Sequence, residues 1–140
     1  MRAKRANAFK KYLLRIMGTR WDVQSHEDKY SLGIPDLSFA MGGVSGWIEL
    51  KQIEIYKTLT MKPSKYTAPQ INWLNRRNRH GGSCFVFVKV DSDYYLFTAD
   101  KARAIADGQT HMWYIDNCRR YWENSIVVEE LVEELLRKTI

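Results

Sequence analysis

Asp36, Glu49 and Lys51 are the residues whose types and spacing could do chemistry together. Glu49 and Lys51 stand two apart in the stretch 46–53 (GWIELKQI), so a strand there sends both side chains to one face. Asp36 follows Pro35 one or two positions into a second strand-like stretch, 34–40 (IPDLSFA). Met41-Gly42-Gly43-Val44-Ser45 between them is a turn, and a hairpin built on it could bring Asp36 beside Glu49. Two carboxylates and the main-chain carbonyl of Leu50 would then form an oxygen-rich site for a hard cation such as Mg²⁺. Such a cation polarises a phosphodiester and lowers the pKa of a bound water. Lys51 would orient that water or stabilise charge on the phosphorane. A glutamate and a lysine two apart are ordinary neighbours on a solvated strand edge, so the pair takes its meaning from its company.

The elements that must position these groups can be read from periodicity. Residues 5–17 place Phe9, Tyr12, Leu13, Ile16 and Met17 at helical spacing, with Gly18 as the stop. Residues 21–25 read as a short strand, and 54–66 are irregular around Pro63. Thr67 is an N-cap for a helix over 68–79, with Ile71 and Leu74 on its apolar side and Gly81-Gly82 beyond its end. Residues 84–90 (CFVFVKV) are the most apolar strand, and Asp91-Ser92-Asp93 turns into another at 94–98. A short helix near 100–106 and a strand at 111–115 follow. Val128, Leu131, Val132, Leu135 and Leu136 then line one side of a final helix. The α-β-β-β-α-β order, a further strand and then helices predict an α/β fold, a central mixed β-sheet flanked by helices.

Length and composition bound the rest. A chain of 140 residues fits one domain, with a core over about 5–100 and a helical C-terminal extension over about 101–140. Hydrophobic residues at 45% exclude a largely disordered chain. No apolar run approaches the roughly 20 residues that cross a bilayer, and Arg2, Lys4 and Arg5 begin no signal peptide. A soluble intracellular protein without a membrane partner is expected. Cys84 and Cys118 form neither a CxxC pair nor a zinc spacing and are expected to be reduced thiols. Charge is asymmetric: residues 1–90 hold 16 Lys+Arg against 6 Asp+Glu, and residues 91–140 hold 6 against 10. Residues 55–90 contain seven cations and no acid, which suggests a polyanion on that side.

Gly33-Ile34-Pro35-Asp36-Leu37, followed after a short interval by Trp47-Ile48-Glu49-Leu50-Lys51, resembles the G-x-P-D…(D/E)-x-K signature of the PD-(D/E)XK nuclease superfamily. Downstream, the stretch Tyr66–Leu74 with Gln70 and Trp73, then Gly81-Gly82 and an apolar strand, is similar to its small VRR-NUC and Holliday-junction-resolvase-like members. The resemblance covers about residues 5–100. It implies a restriction-endonuclease-like core and a DNA endonuclease using Mg²⁺, with Mn²⁺ as substitute. It makes Asp36 and Glu49 metal ligands, Lys51 the catalytic lysine, and Gln70 the residue that positions water or phosphate. Many relatives carry a glutamate on the first helix, whereas residues 1–20 hold no acid; Glu27 is the nearest substitute as a metal ligand. That departure bears on a second metal site and leaves the first intact.

Lys57, Lys62, Lys65, Arg76, Arg77 and Arg79 flank the site in sequence and are expected to hold the DNA backbone. His26, His80 and His111 have no metal-ligand spacing. Trp113, Tyr114, Tyr121 and Trp122 form an aromatic cluster that belongs either to the core or to a subunit contact. Little of the chain is left to build an element that reads bases, so the expectation is a homodimer selecting branched DNA by shape. The competing expectations are a nicking or restriction-type endonuclease on duplex, and a non-catalytic DNA-binding module of the same fold.

Overall fold

The computed structural model describes residues 2–26, 33–54 and 60–137, with side chains from residue 8 onward. Helix α1 (Arg2–Met17) leads into strands β1 (Asp22–Ser25), β2 (Leu37–Met41) and β3 (Val44–Ile53). Strand β4 (Thr60–Met61) precedes helix α2 (Ala68–Arg79), which crosses over to β5 (Ser83–Val90) and β6 (Asp93–Thr98). A 3-10 turn at Ala99–Lys101, α3 (Ala102–Asp107), β7 (Gln109–Thr110), α4 (His111–Asn117), β8 (Arg120–Glu123) and α5 (Val128–Leu136) complete the chain.

Six strands form one sheet in the order β1-β2-β3-β5-β6-β8. β3 and β5 are parallel, as a helical crossover between neighbouring strands requires, and the other pairs are antiparallel. Gly42 and Gly43 both have positive φ, 58° and 80°, the conformation of the tight turn that joins β2 to β3. The sheet is covered on both sides, so β5 reads as an unbroken apolar run rather than an alternation. Phe85 and Phe87 point to one face with Phe9 and Leu13 of α1 and Leu131 and Leu135 of α5. Cys84, Val86 and Val88 point to the other, with Ile71 and Leu74 of α2, Ile105 of α3 and Tyr114 of α4. Each such side chain removed from water contributes about 1.5–3 kcal/mol before the entropy of ordering it.

β3 carries this alternation into the site. Ile48 packs with the α1 and α5 layer, whereas Trp47 and Ile53 pack with the α2 layer. Glu49 and Lys51 are in phase with Trp47 and Ile53, so their side chains rise on the α2 side. The helix over 68–79 has the expected bounds, and Thr67 caps it.

Two expectations change. Residues 111–115 belong to helix α4, not a strand: the Thr110 hydroxyl accepts from the Trp113 N–H at 3.1 Å, and this cap starts a helix that buries Tyr114. The segment expected to be a helical extension also supplies β8, the sixth strand of the main sheet, with Tyr94 opposite Trp122. Of the aromatic cluster expected to belong either to the core or to a subunit contact, Tyr114 and Trp122 are buried in the monomer core, as are Leu131 and Leu135 of α5. Tyr121 stays exposed.

The last helix is held by charge as well as by apolar packing. Glu134 is buried and receives Arg119 Nε at 3.2 Å, Arg120 Nε at 2.9 Å and Arg137 Nη2 at 2.9 Å. Trp122 Nε1 donates to Glu130 at 2.8 Å one turn away. Both cysteines are free, as expected. Among the described residues, no helix is long and apolar enough to cross a membrane.

Candidate active site

Asp36 sits immediately before β2 rather than within it. Leu37, the first residue of β2, is opposite Ile48, so one further step of the antiparallel register brings Asp36 level with Glu49. Its Oδ2 accepts the main-chain N–H of Leu50 at 2.9 Å, satisfying an amide of β3 just past the last paired residue of β2. Its own carbonyl accepts the His26 N–H at 2.9 Å, fixing the backbone from the other side.

Gly33 explains how this segment reaches α2. It has φ +89°, and a Cβ placed there would lie 2.3 Å from the Pro69 carbonyl oxygen. The chain before Asp36 therefore runs flush against the first turn of α2, an approach that only glycine permits.

Glu49 is 3% exposed and lies within hydrogen-bonding reach of the Asp36 carboxyl. Burial, then the charge of Asp36, push its pKa up to about 8, although Lys51 acts in the opposite direction. Lys51 Nζ lies 3.1 Å from Glu49 Oε2, 3.0 Å from Gln70 Oε1 and 2.6 Å from the Lys65 carbonyl. An ammonium has three N–H donors, and these contacts take all of them.

Gln70 owes its place to a capping box. The Thr67 hydroxyl accepts the Gln70 N–H at 3.4 Å, while Gln70 Oε1 accepts the Thr67 N–H at 3.1 Å. The same oxygen takes Lys51, so β3 and the first turn of α2 are joined at one atom. Thr67-x-x-Gln70 is the capping-box pattern, a signal in the sequence beyond Thr67 as cap.

Tyr66 is the site residue that sequence reasoning missed. The Lys51 ammonium lies 4.5 Å from its ring centroid, a cation–π contact. Its hydroxyl is buried without a hydrogen-bond partner among the described residues. Burial, then Glu49 and Asp36, raise its pKa, so the hydroxyl remains a donor beside two carboxyls. Its position directly before the N-cap was the available signal, and a weak one.

The donor set fits a hard divalent cation. Asp36 and Glu49 would supply adjacent carboxyl oxygens, that of Asp36 half-buried and that of Glu49 buried. Mg²⁺ commonly takes one or two carboxylates and leaves its other positions to water and substrate phosphate. Among the described residues there is no cluster of three or more His, Cys, Asp or Glu that could hold a metal, so a richer protein cage is not formed from them. Glu27, expected as a further ligand, and Lys57, expected to contact DNA, lie outside the described residues.

The remaining basic residues are not equivalent. Lys62, Lys65, Arg76, Arg77 and Arg79 are all exposed. Lys65 borders the site through its carbonyl contact with Lys51, and Lys62 lies beside Gly108 near the β4–β7 pair. Arg76 and Arg79 fall in the last turn of α2, on the order of 10 Å along the axis from Gln70. Arg77 alone among them lies over aromatic rings, those of Trp47 and Trp73.

A first helix, an antiparallel β1-β2-β3 sheet, a crossover helix and a parallel β5, with acids where β2 meets β3, make a restriction-endonuclease-like fold. Among solved structures, the Holliday junction resolvase of the archaeal hyperthermophile Archaeoglobus fulgidus is similar at a TM-score of 0.57 and 15% identity, over 79% of this chain and 93% of that one. A bacterial homing endonuclease aligns at a TM-score of 0.45 and 18% identity, over 71% of this chain and 66% of that one. No protein-family model matches the chain, and no curated protein matches it. At these identities the likeness is one of fold.

Proposed function

We propose that this chain is a Mg²⁺-dependent endodeoxyribonuclease, with Mn²⁺ able to substitute, that hydrolyses phosphodiester bonds and favours branched DNA. One observation carries it: Asp36, Glu49, Lys51 and Gln70 converge from the approach to β2, from β3 and from α2. A DNA-binding module gains nothing from burying a carboxyl beside a second one where a phosphate must come.

In this proposal Asp36, Glu49 and the Leu50 carbonyl hold the cation, which when bound supplies Lewis acidity toward the phosphate and a more acidic water. Lys51 holds its ammonium beside the scissile phosphate and stabilises charge that develops there. It needs a free N–H to do so, and giving Glu49 over to a cation releases one. Gln70 keeps Lys51 in line, and its amide N–H group is left to orient water or a phosphate oxygen. Tyr66 covers the lysine and excludes water from its other side.

Preference for branched DNA is supported by what the C-terminal segment does. Residues 120–136 complete the sheet and one core layer, so they are not a separate element for reading base edges. A homodimer cutting two arms of a junction would have to pair through surface other than the buried side chains of α4, β8 and α5.

The test is cleavage of a four-way junction, a flap and a linear duplex made from the same labelled strands, in Mg²⁺, Mn²⁺ or EDTA, with light scattering for mass. The junction should be cut at least ~10-fold faster than duplex, about 1.4 kcal/mol in barrier. Metal-dependent cutting confined to a short sequence in plain duplex would instead indicate a restriction or nicking enzyme. Binding without cutting in either metal would indicate a DNA-binding module.

A further inference from the structure

Arg77 is built differently from the other exposed cations of this face. Its guanidinium carbon lies 4.9 Å from the ring centroid of Trp73 and 5.6 Å from that of Trp47. Those two indoles meet edge to face with centroids 4.9 Å apart, and His26 packs against Trp47 at 5.0 Å. The stem of Arg77 is equally confined: a Cβ added at Gly82 would come 2.8 Å from its Cγ. Its carbonyl accepts from the N–H groups of His80 at 3.2 Å and Gly82 at 3.1 Å, anchoring the backbone as well. Among the described residues it makes no ion pair with a carboxylate.

A guanidinium held over aromatic faces keeps its N–H groups for a ligand in its own plane and has already lost much of its rotamer freedom. That arrangement suits a planar, bidentate acceptor of negative charge such as a phosphate. The two indoles come from the elements that carry the candidate active site. Trp47 is two residues before Glu49 on the same face of β3, and Trp73 is one turn beyond Gln70 on α2. Along α2, Arg77 stands seven residues beyond Gln70, about 10 Å on the axis, a span that one or two consecutive phosphate links of an extended DNA strand cover.

Resting on the nuclease reading, we propose that Arg77 is a preorganised phosphate-binding residue that grips the DNA strand one or two phosphates from the bond to be cut. Trp47 and Trp73 are its positioning residues. Arg76 and Arg79, without such support, supply general attraction only.

The experiment measures binding of a labelled junction in EDTA, across a salt series, by the wild type, Arg77→Lys and Arg77→Ala. Cut sites are mapped beforehand in Mg²⁺, and single neutral methylphosphonates are then walked along the cut strand. Arg77→Lys keeps the charge but loses planarity, and should bind about 10-fold more weakly with a nearly unchanged salt slope. Arg77→Ala should also flatten that slope by about one ion. In the wild type, one methylphosphonate next to the cut or one position further should cost about 10-fold. In both variants that penalty should vanish while penalties elsewhere persist. Thermal melting of each variant establishes that it folds; should Arg77→Ala fail to, the lysine variant decides.

If Arg77→Lys binds like the wild type, or no methylphosphonate position depends on residue 77, Arg77 is ordinary surface charge. Metal-dependent cleavage would then still stand. Wild-type protein that binds no DNA at all would overturn this proposal and the nuclease reading together.

Discussion

Lys51 Nζ lies 3.0 Å from Gln70 Oε1, so the middle of β3 and the first turn of α2 meet through two side chains 19 residues apart. The contact is held from both sides. Gln70 Oε1 is fixed by the Thr67 N–H, and Lys51 is fixed by Glu49 and by the Lys65 carbonyl. A lysine with no donor to spare is poised rather than engaged, and it can turn to a phosphate only as one of these partners is taken elsewhere.

Lys51→Ala should therefore lower single-turnover cleavage by on the order of 100-fold or more, as expected for loss of an electrostatic stabiliser. Gln70→Ala should cost less, because water can replace a neutral group. It should also weaken α2 slightly through loss of the capping box, by ~1 kcal/mol. Quenched-flow rates with saturating enzyme check the first, and thermal melting the second. A change in binding constant alone for Lys51→Ala would deny it a catalytic role.

Asp36→Asn should abolish cleavage in Mg²⁺ and Mn²⁺ while leaving DNA binding within a few fold, since it removes a ligand charge and none of the basic surface. Ca²⁺ should support binding with little turnover by the wild type. Gel shifts and cleavage assays on the same labelled junction measure both; wild-type rates for the variant would remove Asp36 from the site.

Glu49 sets a pH dependence whose sign is fixed by its raised pKa. The folded carboxyl keeps its proton to about pH 8, whereas an unfolded glutamate releases it near 4.5. The metal-free protein should therefore lose stability from this group as pH rises between those values, with little further change above them. Glu49→Gln should remove that part of the decline, seen as a difference in melting temperature between variant and wild type that grows up to about pH 8. Mg²⁺ should restore stability to the wild type at pH 8.5 and not to the variant.

Gly33→Ala tests the approach of the Asp36 segment to α2. The added methyl would collide with the Pro69 carbonyl, and φ is +89°, so the substitution is strained twice. A loss of about 1–3 kcal/mol is expected from the backbone conformation alone. Because the collision pushes Asp36 away, cleavage should fall together with the melting temperature. A variant that melts and cuts like the wild type would show that this contact does not position the aspartate.

Glu134→Ala separates stability from activity. It leaves three arginines around a buried position without their carboxylate, which should cost about 3–5 kcal/mol. Urea unfolding should report that loss. Cleavage at a temperature where the variant remains folded should stay within a few fold of the wild type, because the network lies on β8 and α5.

Sequence alone determined the features whose causes lie within a few residues of each other. Period-two alternation put Glu49 and Lys51 on one face of β3, and the Thr67 cap with Ile71 and Leu74 defined α2. Paired glycines made the β2–β3 turn, and the apolar run at 84–90 made a strand buried on both faces. Tertiary structure decided what depends on register and crossover. The extension of the β2–β3 register sets Asp36 against the Leu50 amide, a step before the strand rather than inside it. The crossover of α2 brings Gln70 and Tyr66 onto Lys51, and Arg77 onto two indoles from different elements. The same distinction explains the errors at 111–123. A short aromatic run has nearly equal local preference for helix and strand, so the Thr110 cap, the pocket for Tyr114 and an open edge beside β6 chose between them.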